Sequence, residues 1–203
     1  MVRYLALGDS YTVGEGVEPE ESFPVRLAAL LLLQGFAIGN PEIVARTGWT
    51  TRELGAGIDR MDLRGPFDLV SVLVGVNDQY RGGGVEEYRT RFRSLLRRAV
   101  SLAGGEAGRV VVLSIPDWGA TPFAEGRDRA RIAAEIDRFN EANRMETDGA
   151  GARYVDVTVV SRRAASAGSG SMTAPDGLHP SGAVYAEWAR LVLPHALAAL
   201  GTI

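Results

Sequence analysis

Four short islands of the sequence hold the residue types that acyl-transfer chemistry needs. Gly8-Asp9-Ser10 follows the first apolar run, Arg3-Tyr4-Leu5-Ala6-Leu7. Gly48 lies in Arg46-Thr47-Gly48-Trp49-Thr50, Asn77 lies in Gly75-Val76-Asn77-Asp78, and the last island is Asp176-Gly177-Leu178-His179-Pro180. Together they supply a serine hydroxyl, hydrogen-bond donors for an oxyanion and an acid–histidine pair, which are the parts of a serine hydrolase. A serine hydroxyl alone is nearly inert at neutral pH and needs a base beside it. The chain has two histidines. His179 is the candidate base because Asp176 stands three residues before it. A tight turn through Gly177 would bring the carboxylate to Nδ1 and leave Nε2 facing Ser10. His195 follows Pro194 in the last helical stretch, has no acid paired with it, and reads as a surface or packing residue.

Each island also has a plainer role. Ser10 alone reads as a turn cap, a frequent use of serine, and only its three partners turn the reading toward a nucleophile. Gly48 and Asn77 are both common turn residues. Asp9 and Asp78 read as loop braces. Asp-x-x-His is also half of a metal site, but without cysteine or a further histidine cluster the ligand set stays incomplete, so neither a metal nor a cofactor is expected. The stretch Gly8-Asp9-Ser10-Tyr11-Thr12 lacks the second glycine of a G-x-S-x-G nucleophile elbow, which argues against the α/β-hydrolase fold. Gly14-Glu15-Gly16 hints at a phosphate loop, but no G-x-G-x-x-G or Walker pattern forms around it.

The elements that must position these residues alternate. Runs 3–7, 42–46, 68–74, 109–115 and 152–156 are short, apolar and mostly β-branched, as strands buried on both faces should be. Between them lie helical patterns. One begins at Ser22 and Pro24, carries Leu27, Leu30 and Leu31, and stops near Gly35. Thr50 and Glu53 make a capping-box pattern for a second. A third puts Tyr88, Phe92, Leu95, Leu96 and Ala99 on one stripe and Arg89, Arg93 and Arg97 elsewhere. A fourth carries Ile132, Ile136 and Phe139, and the last runs from about Ser181 to Leu200 with Pro194 as a kink. Ala164–Gly170 reads as a surface loop, and Gly82–Gly84 as a flexible joint. Alternation of this kind predicts one domain over 1–203, a mostly parallel five-stranded sheet with helices on both faces, and ligands at the carboxyl ends of the strands. Ser10, Gly48, Asn77 and Pro116-Asp117-Trp118 each follow a predicted strand. Trp49 and Trp118 therefore fall in loops on the active edge, where they are candidates for walling an acyl or sugar group, with loop packing as the competing role.

From residue 4 to about residue 190 the four islands, in this order, resemble the SGNH hydrolases, also called the GDSL lipase/esterase family. The resemblance implies a flavodoxin-like three-layer α/β/α sandwich with strand order 2-1-3-4-5. It implies Ser10, His179 and Asp176 as catalytic residues. It also implies an oxyanion hole made of the Ser10 and Gly48 backbone N–H groups and the Asn77 side-chain amide. The activity implied is hydrolysis of a small-molecule ester, and the family's range includes acetyl-carbohydrate esterases, lysophospholipases, thioesterases and short-chain esterases. An acyltransferase using the same machinery and a non-catalytic module on the same fold are the rival readings.

Composition narrows the rest. Net charge is −3, so nothing draws the chain toward nucleic acid or an anionic membrane. All 22 basic residues are arginine, which excludes Walker, Schiff-base and serine–lysine chemistry. Cysteine is absent, which excludes disulfides and thiolate catalysis. Met1-Val2-Arg3 runs straight into the first strand, leaving no room for a signal peptide, and no apolar stretch reaches the length of a membrane span. A cytoplasmic enzyme acting on small, soluble esters is the expectation.

Overall fold

The computed structural model describes residues 1–166 and 172–201. Five strands, β1 (Tyr4–Gly8), β2 (Glu42–Ala45), β3 (Leu69–Leu73), β4 (Val110–Leu113) and β5 (Arg153–Val155), form one sheet in the order β2-β1-β3-β4-β5. Every pairing is parallel. The described residues also form eight α-helices: α1 (Ser10–Val13), α2 (Phe23–Leu33), α3 (Thr51–Asp59), α4 (Val76–Tyr80), α5 (Val85–Leu102), α6 (Arg129–Ala150), α7 (Thr158–Ser166) and α8 (Gly182–Leu200). All five predicted strands and the five long helices stand where the patterns put them. Residues 164–166 of the predicted loop are the end of α7, and 167–170 lie outside the described residues.

Right-handed crossovers explain the layers. The step from β1 to β2 runs one way along the sheet, and the steps from β2 to β3, β4 and β5 run the other way. Helix α2 therefore covers one face, where α8 packs against it, while α3, α5 and α6 cover the opposite face. The central strands β1, β3 and β4 are buried at every residue. The edge strands are short and carry charge at Glu42 and Arg153, which blunts their open edges. Buried Tyr4 and Ser71 on neighbouring strands satisfy each other, with 2.8 Å between their hydroxyl oxygens.

Two devices deliver the chain to the carboxyl edge. Gly8 closes β1 where a Cβ would fall 2.0 Å from Thr12 Oγ1 and 2.5 Å from the Leu73 carbonyl oxygen, so only glycine lets α1 turn back so tightly. In register, Gly8 lies opposite both Ala45 of β2 and Leu73 of β3. The loops that follow these three strands are thus neighbours, and they carry Ser10, Gly48 and Asn77. The arginines of α5 meet carboxylates: Arg89 and Arg93 bridge to Glu146 of α6 at 2.7 and 2.6 Å, and Arg98 pairs with Asp59 of α3.

Candidate active site

Ser10 is the first residue of α1 and Asp9 is its N-cap, with Asp9 Oδ1 accepting from the Tyr11 N–H at 3.1 Å. The cap fixes where the Ser10 hydroxyl leaves the sheet. His179 Nε2 lies 2.9 Å from Ser10 Oγ, across 169 residues of sequence. His179 Nδ1 lies 2.6 Å from Asp176 Oδ2. The turn through Gly177 forms as expected, and Asp176 Oδ1 accepts from the Leu178 and His179 N–H groups at 2.9 and 3.0 Å. With an ionised carboxylate as acceptor, Nδ1 carries the ring proton, and Nε2 presents its lone pair to the serine. Tyr11 braces the imidazole edge-on, with ring centroids 5.5 Å apart.

The groups differ in charge. Burial works against the Asp176 carboxylate, but the imidazole and the two backbone N–H groups outweigh it and hold its pKa below the ordinary aspartate value. Asp9 is fully buried, and desolvation pushes its pKa up to about 8; the Tyr11 N–H opposes this and the nearby charge of Asp78 adds to it. Asp78 is also raised, chiefly by burial, with the Thr51 hydroxyl and N–H opposing. Ser10 and His179 are only 5% and 8% exposed, so most of the surface of the pair is packed against protein.

Across from this pair, Gly48 adopts φ +83, a conformation side-chain-bearing residues rarely take. Its carbonyl accepts from Arg81 Nη2 at 2.6 Å, and Arg81 also pairs with Glu53 at 3.2 Å. Glu53 closes the capping box of α3 by accepting from the Thr50 N–H at 2.8 Å. The Gly48 peptide is thereby anchored through its oxygen. Asn77 Nδ2 donates to the Trp49 carbonyl at 2.9 Å, which orients the amide and spends only one of its two N–H bonds. Neither the Ser10 nor the Gly48 N–H donates to a protein acceptor among the described residues. Asp78 locks the arrangement by accepting from the Thr51 N–H and hydroxyl at 2.9 and 2.6 Å, which ties α4 to the start of α3.

The structure thus joins Ser10, His179 and Asp176 in one chain of hydrogen bonds, and joins Asn77 to the Gly48–Trp49 loop. The two tryptophans lie elsewhere in that neighbourhood. Trp49 is half-buried with its ring on Gly57 of α3. Trp118 is buried, and its Nε1 donates to Gln79 Oε1 at 2.8 Å. His195 belongs to the stretch of α8 that docks on Arg153, where β5 begins, so it sits at the amino end of the sheet. Burial, and then the charge of Arg153, lower its pKa. Sequence reasoning missed the anchoring of Gly48 by Arg81, a contact between residues 33 apart that no local pattern announces.

A parallel α/β/α sandwich with a serine–histidine–aspartate relay at its carboxyl edge carries the equipment of an acyl-transfer hydrolase. A model of the GDSL-like lipase/acylhydrolase family matches residues 6–187, and the chain belongs to that family. It is a carboxylic ester hydrolase. No curated protein sequence matches it. Among solved structures it is similar to TesA, at TM-score 0.75 and 19% identity over 98% of this chain and 99% of that one. A lipase/acylhydrolase from Enterococcus faecalis has TM-score 0.72 and 20% identity over 100% and 99%. An acetyl xylan esterase from Geobacillus stearothermophilus has TM-score 0.71 and 21% identity over 96% and 94%. At such identities the likeness concerns the fold. No helix among the described residues is long and apolar enough to cross a membrane.

Proposed function

We propose that the protein cleaves small or short-chain carboxylic esters through an acyl-serine intermediate on Ser10. His179 Nε2 takes the hydroxyl proton as Oγ attacks the carbonyl carbon. The carbonyl oxygen becomes an oxyanion, received by the Ser10 N–H, the Gly48 N–H and the free N–H of the Asn77 amide. The imidazolium, stabilised by Asp176, returns its proton to the leaving alcohol. Water then repeats the sequence, with His179 as base, and frees the acid and Ser10. The observation that carries this reading is the relay itself: 2.9 Å from Ser10 Oγ to His179 Nε2 and 2.6 Å from Nδ1 to Asp176. The acetyl ester named for one structural neighbour fits a short acyl group.

The test is hydrolysis of a chain-length series of 4-nitrophenyl esters. Ser10→Ala should lose roughly three to six orders of magnitude in kcat, as when a unit-acting triad loses its nucleophile. An organophosphonate probe should label the wild type at Ser10 and leave this variant unlabelled. Near-normal turnover by Ser10→Ala sinks the mechanism, and so does an inactive His195→Ala beside an active His179→Ala. Adding an alcohol and measuring acid against transferred ester separates hydrolysis from acyl transfer.

A further inference from the structure

Between β4 and α6 the chain crosses the carboxyl edge and builds a feature that the acyl-transfer chemistry leaves unused. Tyr80, Trp118 and Phe123 meet in one cluster, with ring centroids 5.3 Å apart for Tyr80–Trp118, 6.1 Å for Trp118–Phe123 and 6.3 Å for Tyr80–Phe123. The Arg127 guanidinium lies over all three, its carbon 5.6, 5.3 and 5.2 Å from the Tyr80, Trp118 and Phe123 centroids.

The cluster is fastened to both halves of the site. Tyr80 ends α4, three residues after Asn77. Phe123 donates its N–H to the Gly177 carbonyl at 3.0 Å, inside the turn that presents His179. Below it, Asp117 accepts from the Gly119 N–H and from Arg162 Nε, each at 2.9 Å, which ties the segment holding Trp118 to α7. Trp118 is buried, whereas Tyr80 and Phe123 are 47% and 38% exposed. A pocket of about 290 Å³ opens on the Tyr80, Trp118 and Arg127 side of the cluster, with Gln79, Arg131 and Glu135 on its other wall.

Arg127 forms no ion pair among the described residues, and its nearest polar contact is Nη2 to the Tyr80 hydroxyl at 3.5 Å. Two carboxylates on the same pocket are engaged: Glu135 by Arg131 and Gln79, and Asp128 by the Arg131 N–H. A guanidinium held against aromatic rings and without a carboxylate partner among the described residues keeps donors to spare, and its fork matches a carboxylate in two parallel hydrogen bonds. We infer that Arg127 and the Tyr80–Trp118–Phe123 rim form a specificity subsite for esters that carry a second, ionised carboxylate. This rests on the assignment of Ser10 as nucleophile. The scissile carbonyl stands at Ser10, the connecting carbons lie along the exposed rings, and the free carboxylate meets Arg127.

Two substrate series test this. One is the 4-nitrophenyl monoesters of straight-chain dicarboxylic acids, with the carboxylate on the acyl side. The other is the acetate esters of hydroxy acids, with the carboxylate on the alcohol side. Each is compared with its methyl-capped neutral counterpart, and the readout is the ratio of kcat/KM, anionic over neutral. In at least one series the wild type should favour the anion at one chain length. Arg127→Ala should cut that ratio about 10- to 100-fold, the range for a charge-assisted hydrogen bond. Arg129→Ala, which removes a positive charge two residues on, should keep it. A ratio unmoved by Arg127→Ala, or lowered equally by Arg129→Ala, overturns the subsite while leaving Ser10 chemistry intact. Tryptophan fluorescence supplies a readout independent of turnover. Titration with the free dicarboxylates should give a saturable change in the wild type and in Ser10→Ala and none in Arg127→Ala. No saturable change in any of them also overturns the subsite.

Discussion

Two aspartates flank Ser10, one beside it in the chain and one beside it through His179, and the structure gives them opposite characters. Asp176 is 40% exposed at its side chain and takes three hydrogen bonds, from the His179 ring and from two backbone N–H groups. Asp9 is 0% exposed, its Oδ1 accepts from the Tyr11 N–H, and its Oδ2 has no hydrogen-bond partner among the described residues. A carboxylate keeps its charge where donors converge on it and loses it where water is removed without replacement. Asp176 is therefore the anion that can stabilise an imidazolium. Asp9, its pKa pushed up to about 8 by burial, is held toward the neutral acid and caps the start of α1. Adjacency to the serine does not decide which acid keeps its charge; the count of donors does.

The sharpest way to break this contrast is to turn each acid into its amide. Asp176→Asn should fold, as circular dichroism can verify, and lose up to about 10⁴-fold in kcat, because an amide no longer fixes the tautomer or balances the imidazolium. If Asp9→Asn were the crippled enzyme and Asp176→Asn the active one, the two characters would have to be exchanged.

Asn77 differs in the same way from its neighbour Asp78: both oxygens of the buried Asp78 carboxyl accept from Thr51, whereas the Asn77 amide uses one N–H on the Trp49 carbonyl and keeps the other for the proposed oxyanion. Asn77→Ala should lower kcat by about 10²–10³ with a much smaller change in KM, since the donor acts on charge that develops in the transition state. Steady-state kinetics on one ester decides it; a loss confined to KM would make Asn77 a ground-state binding residue.

Much of this was legible in the sequence, for physical reasons that differ by element. Buried parallel strands need unbroken apolar runs, so Tyr4–Gly8, Leu69–Leu73 and Val110–Leu113 announce themselves. The long helices show their stripes over several turns, as Tyr88 to Ala99 does in α5. Helices α1 and α4 are four and five residues long, too short to display a period, so the sequence does not reveal them although they carry Ser10 and Asn77. Asp176 and His179 could be paired because three residues separate them. The support of Gly48 by Arg81, and the meeting of Tyr80, Trp118, Phe123 and Arg127, depend on loops brought together by the sheet, and nothing in the local sequence marks them.

The smallest effect on turnover, and the most telling about charge, should come from Asp9. Asp9→Asn keeps an acceptor for the Tyr11 N–H and puts an uncharged donor where the Oδ2 proton sits, so kcat should stay within about threefold of wild type. Asp9→Ala removes the N-cap and should cost about 1–2 kcal/mol of stability from that loss alone. The sign of the pH dependence follows from linkage. Between the ordinary aspartate value of 3.8 and about 8, the folded chain binds the Asp9 proton and the unfolded chain does not. Stability from this residue is therefore complete below the unfolded value, falls as pH rises through that window, and is gone above about pH 8. Each unit of the window is worth about 1.4 kcal/mol, so the whole amounts to a few kcal/mol. Asp9→Asn cannot ionise, and its urea-unfolding free energy should lack that decline between pH 4 and pH 8 that the wild type shows. Asp176 acts in the opposite sense: its pKa is lowered, so its contribution is present above the unfolded value and is lost as pH falls through the folded one. Unfolding curves for wild type, Asp9→Asn and Asp176→Asn from about pH 2 to pH 9 should thus separate the two acids, with loss on raising the pH from about 4 to 8 reduced in Asp9→Asn, and loss on lowering it below about 4 reduced in Asp176→Asn. A pH 4 to 8 profile that Asp9→Asn leaves unchanged would mean that Asp9 is charged in the folded protein, and the contrast between the two aspartates would collapse.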